Sequence, residues 1–399
     1  MSDSTKRPRL ALIGISGYGR IHLDLARGCR DRGEADIIAA VVINPAEEAA
    51  NVAELKAGGC AIYTDYAEML HRHAGQIDLC LIPTGIHWHA RMTVAALRAG
   101  ANVLVEKPLA GSLADAQAIR AEEQASGRFV AVGFQDCYDP GTRWLADSLE
   151  QGVIGRVESV RFLGVWPRPR AYFLRNNWAG RLQLDGVSVL DSPLNNAFGH
   201  FVMLSLLFGG AGDDSTVPEP GGVELFRAHD IESFDTAVVN VRTAGGTRLW
   251  FGVSHVSHTT LEPEIVIEGS AGLAGWRYET EAWLHGAGGR QRQPVLDQHA
   301  SRRLMMAAAL QKLRDPATPV CTTAMAARHT RLIDGLHRAA AVTPFPADLI
   351  EWTPLEGATS PVATVRGLDA ALRQAFVEQK TLRECGFAPA GEPIARGSG

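Results

Sequence analysis

Residues 10–22 read Leu-Ala-Leu-Ile-Gly-Ile-Ser-Gly-Tyr-Gly-Arg-Ile-His: an apolar run suited to a buried strand, then glycines, then the start of a helical pattern. A strand that enters a helix through glycines limits the fold sharply. It gathers unpaired backbone N–H groups and the positive end of a helix at one point, an arrangement that receives a phosphate. In the G-x-G-x-x-G register, Gly14 and Gly19 fill the outer positions and Ser16 the middle one, where glycine normally lets the backbone approach a pyrophosphate. Gly17 next door is expected to restore freedom, Ser16 to donate its hydroxyl to a phosphate oxygen, and Tyr18 to border the same ligand. This predicts a dinucleotide-binding Rossmann turn.

The first third of the chain supports that prediction. Leu10–Ile13, Ile37–Ile43, Ile77–Ile82, Val103–Val105 and Phe129–Val132 are short, apolar and rich in β-branched residues. Between several of them lie helical segments such as Ala90–Ala99, with Gly100 as C-cap, and Ala114–Gln124, with Ser112 as N-cap. Strand–helix alternation predicts a doubly wound parallel sheet. After about Gln135 the rhythm changes. Val157–Val165, Ala237–Arg242, Arg248–His255 and Glu264–Glu268 read as strands of a mostly antiparallel sheet, one face covered by helices Asn195–Leu207, Arg302–Leu313 and Ala324–Ala340. Residues 209–221, rich in Gly, Asp and Pro, read as a surface loop. The fold class is therefore α/β, a Rossmann domain followed by an α+β domain. A length of 399 residues also calls for two cores. The expected division is 1–135 for the dinucleotide, 136–390 for substrate and oligomerisation, and 391–399 as a disordered tail.

Composition excludes other classes. A formal net charge of −5 without a basic stripe argues against a nucleic-acid partner, and no apolar segment is long enough for a signal peptide or a membrane span. The six cysteines lack C-x-x-C spacing, which suits reduced thiols in a cytoplasmic protein and no zinc site. At the end of the second strand, Asn44 stands where an acidic residue usually holds the adenine ribose, with Glu47 and Glu48 close behind. Two carboxylates disfavour a 2′-phosphate, so NAD is expected over NADP. The fifth strand runs into Glu106-Lys107-Pro108. Proline restricts how Lys107 leaves the strand, and a lysine at the carboxyl end of a doubly wound sheet can hold or release the proton of a carbinol oxygen.

Taken in order, these residues resemble the Gfo/Idh/MocA oxidoreductases (glucose–fructose oxidoreductase, inositol dehydrogenase and their relatives). The likeness rests on the Gly14–Gly19 loop with His22, Asp65 and Leu70, and Ile82-Pro83-Thr84 followed by His87 and His89. It continues through Ala96–Val105, Glu106-Lys107-Pro108, Gly133-Phe134-Gln135 and the 152–157 segment. The resemblance implies NAD(P)-dependent oxidation or reduction of a sugar or polyol, with Lys107 catalytic. It also implies an open C-terminal sheet that associates into a homodimer or homotetramer. Pro83, Thr84, His87, Glu106, Lys107 and Gln135 become cofactor contacts. In the family's second catalytic element His200 takes the histidine position, while the usual carboxylate position holds Asn196 and the later one Met203. Asn196 and His200 are expected on one face of a helix, with Asp191 as a source of the missing charge.

The segment Trp166–Trp178 is dense in aromatic and arginine residues, a mixture suited to sugar rings, hydroxyls or a carboxylate. It supplies Arg168, Tyr172 and Arg175 as substrate contacts beside Lys107, Asp191, Asn195, Asn196 and His200. His87 and His89 at i, i+2 would suit a metal on a strand, but no third ligand follows, so no metal is assigned. Two rival functions share this fold: a glycosidase or lyase that oxidises a sugar transiently on NAD, and a non-catalytic NAD-binding regulator. Lys107 and His200 speak against the regulator, which needs neither.

Overall fold

The computed structural model describes residues 6–210 and 216–387, divided into two compact units. In the first, strands β1 (Arg9–Ile13), β2 (Asp36–Val41), β3 (Ala61–Tyr63), β4 (Leu79–Ile82), β5 (Asn102–Val105) and β6 (Val130–Val132) alternate with helices α1 (Gly19–Asp31), α2 (Ala49–Ala57), α3 (Tyr66–Arg72), α4 (Ile86–Arg98) and α5 (Leu113–Ser126). The strands pair in parallel in the order β3-β2-β1-β4-β5-β6. The physical cause is burial on both faces: every residue of β4 is buried, as are Val103, Leu104 and Val105 of β5. The order reverses between β1 and β4, so the loops leaving their carboxyl ends border the crevice where such sheets take their ligands. Local chemistry sets the helix ends. The Ser112 hydroxyl accepts the Asp115 N–H at 3.1 Å, and Gly100 takes the left-handed conformation (φ 86°) that closes α4.

Residues 299–327 also cluster with this unit. The Val132 N–H donates to the Cys321 carbonyl (2.9 Å), and the Cys321 N–H donates to the Tyr138 hydroxyl (3.1 Å). The block 136–390, expected as one domain, is thus divided, because the chain returns to add residues beside the β6 edge. The 391–399 tail lies outside the described residues.

The second unit is built on a sheet in the order β16-β15-β14-β13-β7-β12-β11-β10-β17. In chain order its elements are α6 (Pro140–Glu150), β7 (Val157–Val165), α7 (Arg170–Phe173), a short hairpin of β8 (Gln183–Leu184) and β9 (Val187–Ser188), and α8 (Gly199–Phe208). There follow β10 (Thr216–Arg227), β11 (Thr236–Thr243), β12 (Arg248–Ser254), β13 (Leu261–Gly269), β14 (Gly272–Arg277), β15 (Glu281–Gly286) and β16 (Gly289–Pro294). Next are α9 (Gln298–Lys312), which but for Gln298 clusters with the first unit, α10 (Thr323–Ala339), whose residues from Arg328 belong here, β17 (Val342–Pro344), the pair β18 (Ile350–Thr353) and β19 (Val362–Val365), and α11 (Leu368–Glu378). Most neighbours are antiparallel; β7 with β12 and β10 with β17 are parallel.

A buried cluster joins Leu163, Val238 and Trp250 of the sheet to Val365, Leu368, Leu372 and Ala375 at the C-terminal end. The Trp250 indole N–H donates to the Lys380 carbonyl at 2.9 Å, so the ring is buried without stranding its polar atom. α8 is apolar all round and almost wholly buried, with Phe201 against Phe162 and Trp276.

Two expectations change here. The helix expected from Asn195 begins at Gly199; residues 192–198 form turns in which the Ser192 hydroxyl accepts the Asn195 N–H and the Phe198 N–H reaches the Pro193 carbonyl. The loop expected over 209–221 already runs as β10 from Thr216, with 211–215 outside the described residues. Among the described residues no helix is long and apolar enough to cross a membrane, and no disulfide joins the cysteines.

The C-terminal helix is an integral part of this core. Leu372→Ala is expected to cost about 2–5 kcal/mol of stability, read as a lowered denaturant midpoint; an unchanged midpoint would show that α11 is dispensable.

Candidate active site in two parts

The first part forms at the carboxyl ends of β1, β4, β5 and β6. Gly14 has φ 96° and Gly17 φ 56°, left-handed values that side chains resist. A Cβ on Gly19 would stand 2.7 Å from the Gly14 carbonyl oxygen, so only glycine permits this tight start to α1. Pro83 and Thr84, just beyond β4, line the same turn: the Gly19 position faces the Pro83 ring and the Gly14 position the Thr84 methyl. Tyr18, exposed at the start of α1, has its ring beside His22 (6.1 Å) and under the Arg302 guanidinium (5.6 Å).

Ser16 is exposed on this turn. The buried Glu48 carboxylate is held by Arg20 (3.0 Å) and Asn51 (2.6 Å). Arg20 is the largest cause, with the Asn51 amide and Ser16 behind it, keeping Glu48 below the usual carboxylate range. Arg20 is a residue the sequence did not bring to this place: far from Asn44 along the chain, it is tethered beside the β2 end by Glu48. Asn44 is exposed and donates to Glu47 (3.2 Å).

At β5, Glu106 is buried and its carboxylate accepts from His22 Nε2 at 2.8 Å and from the Lys107 N–H at 3.1 Å. Gly133 makes room for it, since a Cβ there would come within 2.9 Å of the Glu106 carboxyl. Lys107 is half-buried and joined to Pro108 by a cis peptide. His89, considered above only as half of a metal pair, lies buried between the Pro108 carbonyl (2.7 Å) and the Thr84 carbonyl (3.0 Å). It thereby ties the loop after β4 to the lysine turn, and burial holds its imidazole below the usual pKa. Both histidines are on helix α4, not on a strand, where i and i+2 side chains diverge. Among the described residues no group of His, Cys, Asp and Glu is placed to hold a metal. Gln135 is buried after β6, and its side-chain Oε1 has no partner among the described residues.

These features fit a dinucleotide: a loop whose close approach a Cβ would obstruct, and a buried amide oxygen suited to a carboxamide donor.

The second part belongs to the other unit. His200 is buried in the first turn of α8. The Asn196 amide donates to Asp191 Oδ1 at 2.9 Å, and the Gly180 N–H donates to Asp191 Oδ2 at 2.7 Å. A carboxylate, Asp191, thus lies against position 196. Asn196 itself lies in the turns before α8, so the shared helical face with His200 is not formed. Asn195 serves the main chain: its amide donates to the Val189 and Leu190 carbonyls, each at 3.0 Å. Met203 is core, and His329, with Nε2 3.1 Å from the Leu194 carbonyl, braces the same turn. Arg168, Tyr172 and Arg175 lie together in the 166–178 segment.

The first unit has the parallel sheet order of a Rossmann fold. Residues 9–134, about a third of the chain, match the model of the Gfo/Idh/MocA oxidoreductase family, described as NAD-binding Rossmann fold. Among curated relatives, the 4-carboxy-2-hydroxymuconate-6-semialdehyde dehydrogenase of a Sphingobium species is 33% identical over 146 residues, 37% of this chain and 44% of that protein. The inositol 2-dehydrogenase of Azotobacter vinelandii is 34% identical over 145 residues, 36% of this chain and 42% of that protein. The matches therefore span less than half the length of these relatives. Among solved structures, the WlbA dehydrogenase of Bordetella pertussis, in complex with NADH and UDP-GlcNAcA, shares the fold across both units. Its TM-score is 0.66 at 21% identity, covering 84% of this chain and 96% of that one.

The Gly19 contact yields a direct test. Gly19→Ala is expected to lower NAD affinity by at least about tenfold, or 1.4 kcal/mol, while the protein stays folded. Calorimetry finding unchanged affinity would show that the tight turn is not part of the cofactor site.

Proposed function

We propose that the protein is an NAD-dependent dehydrogenase or reductase of a sugar, polyol or sugar derivative. The observation that carries this reading is Lys107 at the carboxyl end of β5, held by a buried Glu106–His22 pair beside the Gly14–Gly19 turn. Bound NAD supplies the acceptor for hydride. Lys107 holds the proton of the substrate hydroxyl, and its ammonium or amine form sets the direction in which that proton moves. In the second unit, His200 orients a substrate hydroxyl or relays its proton, with Asp191 as a carboxylate of the same unit. Gln135 receives the carboxamide of the cofactor, and Asn44 its adenine ribose. Of the similar proteins, one is an inositol dehydrogenase and the WlbA dehydrogenase holds UDP-GlcNAcA, and the ring alcohol common to those two is the chemistry taken over here; a third acts on a semialdehyde.

Lys107→Met is expected to lower turnover by ~10²–10⁴ and to leave NAD affinity intact. Steady-state kinetics on a panel of polyols and sugars, with NAD titrations of the same variant, reads both. Near wild-type turnover in Lys107→Met would remove the lysine from the reaction.

The cofactor preference follows from charge at the β2 end. Arg20 is the cation there, and Glu48 pairs with it, while Glu47 stands beside Asn44. NAD is therefore expected to bind more tightly than NADP, and Glu48→Gln to narrow the gap by releasing Arg20 toward a 2′-phosphate. Fluorescence titration showing NADP tighter in the wild type, or a gap unchanged in the variant, contradicts this account.

A further inference from the structure

Between residues 166 and 184 the chain carries four arginines and no acid. In the fold, two of them build a ladder with three aromatic rings. The Arg168 guanidinium lies 5.6 Å over the Trp166 ring and 5.1 Å over Tyr172, and Arg175 lies 3.7 Å over Tyr172 and 5.2 Å over Trp178. The order is Trp166, Arg168, Tyr172, Arg175, Trp178. The ladder is anchored at its first ring, where the Trp166 indole donates to Glu262 (2.9 Å) and stacks on Phe198 at 4.8 Å.

Neither guanidinium forms an ion pair among the described residues, whereas Arg181 a few residues on pairs with Glu232. Arg175 donates to the Tyr172 carbonyl (2.6 Å) and one Arg168 terminal nitrogen donates to the Pro167 carbonyl (3.5 Å), while the Arg168 Nε is buried with no partner among the described residues. Asp191, the carboxylate felt at Tyr172, receives the Gly180 and Asn196 N–H groups. Nearby His255 adds no compensating charge. Burial first and Arg168 next push its imidazole well below the usual range, with Nδ1 2.8 Å from the Trp166 carbonyl.

Stacking covers the faces of the guanidiniums and leaves their N–H edges, the part that forks a carboxylate or phosphate. It also covers the face of Tyr172 on which a sugar ring would otherwise lie, so the expectation of ring stacking at that residue gives way to one of charge recognition. Two cations against one ring repel each other, which the cation–π contacts offset only in part. An anion between their edges removes the repulsion and gains charge-assisted hydrogen bonds.

We propose that this ladder recognises an anionic substituent of the substrate, a carboxylate or a phosphate, through the edges of Arg168 and Arg175. The inference rests on the reading of this unit as the substrate domain of a sugar or polyol dehydrogenase.

The test is calorimetric titration of the full-length protein, loaded with NAD, using D-glucuronate, D-glucose 6-phosphate, D-glucose and myo-inositol as probes. At least one charged probe is expected to bind about tenfold or more tightly than its neutral counterpart, as a charge-assisted pair predicts. Preference for glucuronate assigns a carboxylate and preference for the phosphate ester assigns a phosphate. Arg168→Gln and Arg175→Gln are each expected to remove most of that preference, and Arg175→Lys to recover only part, because lysine lacks the fork. NAD affinity and the thermal midpoint of the cofactor complex serve as fold controls. Equal binding of charged and neutral probes, binding of no charged probe, or a preference that survives in the double glutamine variant overturns the proposal. Reduction of NAD by neutral polyols without charge preference leaves the dehydrogenase reading standing and removes this one. Charge-selective binding without NAD reduction by any probe does the reverse.

Discussion

The buried Glu106 carboxylate is the constraint on which the first unit's site depends. It sits at the end of β5, receives His22 from α1 and the Lys107 N–H from its own turn, and occupies the space that Gly133 leaves after β6. A buried charge is costly unless paired and hydrogen-bonded. Here each partner comes from an element that also borders the crevice, so satisfying the carboxylate fixes the relative position of those elements. His89 adds a second tie between the loop after β4 and Pro108. The catalytic candidate is thereby held from several sides while its own side chain stays half-buried. Rigid support of a reacting group is what a site needs if geometry is to lower a barrier.

The second unit solves a different charge problem. Its helix α8 carries His200 in an apolar setting, and the carboxylate is displaced from the helix to Asp191, where backbone and amide N–H groups hold it. The amide at position 196 donates to the acid at 191, so a carboxylate stands next to the position where the family resemblance expected one. Gly180, which supplies one of those N–H groups, lies two residues past Trp178 of the arginine–aromatic ladder. Residues 166–200 thus form a chain of contacts running from guanidinium edges to the turn that leads into α8.

Much of this was legible in the sequence, for physical reasons that can be named. The glycine turn, the buried strands and the Glu-Lys-Pro corner are local signals, because period, burial and backbone conformation are written in neighbouring residues. The helix start at Gly199 was not, since Ser192, Pro193 and Asn195 satisfy their neighbours in turns that mimic helical spacing. Residues far apart in the chain escaped in the same way: Arg20 with Glu48, and the return of 299–327 to the β6 edge. So did the face of the second sheet covered by α11, whose amphipathic pattern gives no hint of its partner. The aromatic and arginine density of 166–178 was visible, but not that the rings would stack on guanidiniums, which narrows the ligands they suit from ring, hydroxyl or carboxylate to an anion.

The central claim is direct hydride transfer between a substrate carbon and a nicotinamide held at the Gly14–Gly19 turn. It is tested most directly by incubating the protein and NAD with polyols and sugars deuterated at their carbinol carbons and locating the label by mass spectrometry. The account predicts deuterium accumulating on the reduced nicotinamide ring, in proportion to oxidised product. Label that never enters the cofactor from any substrate the protein binds, or that returns to the sugar product with no net reduced cofactor, would contradict it.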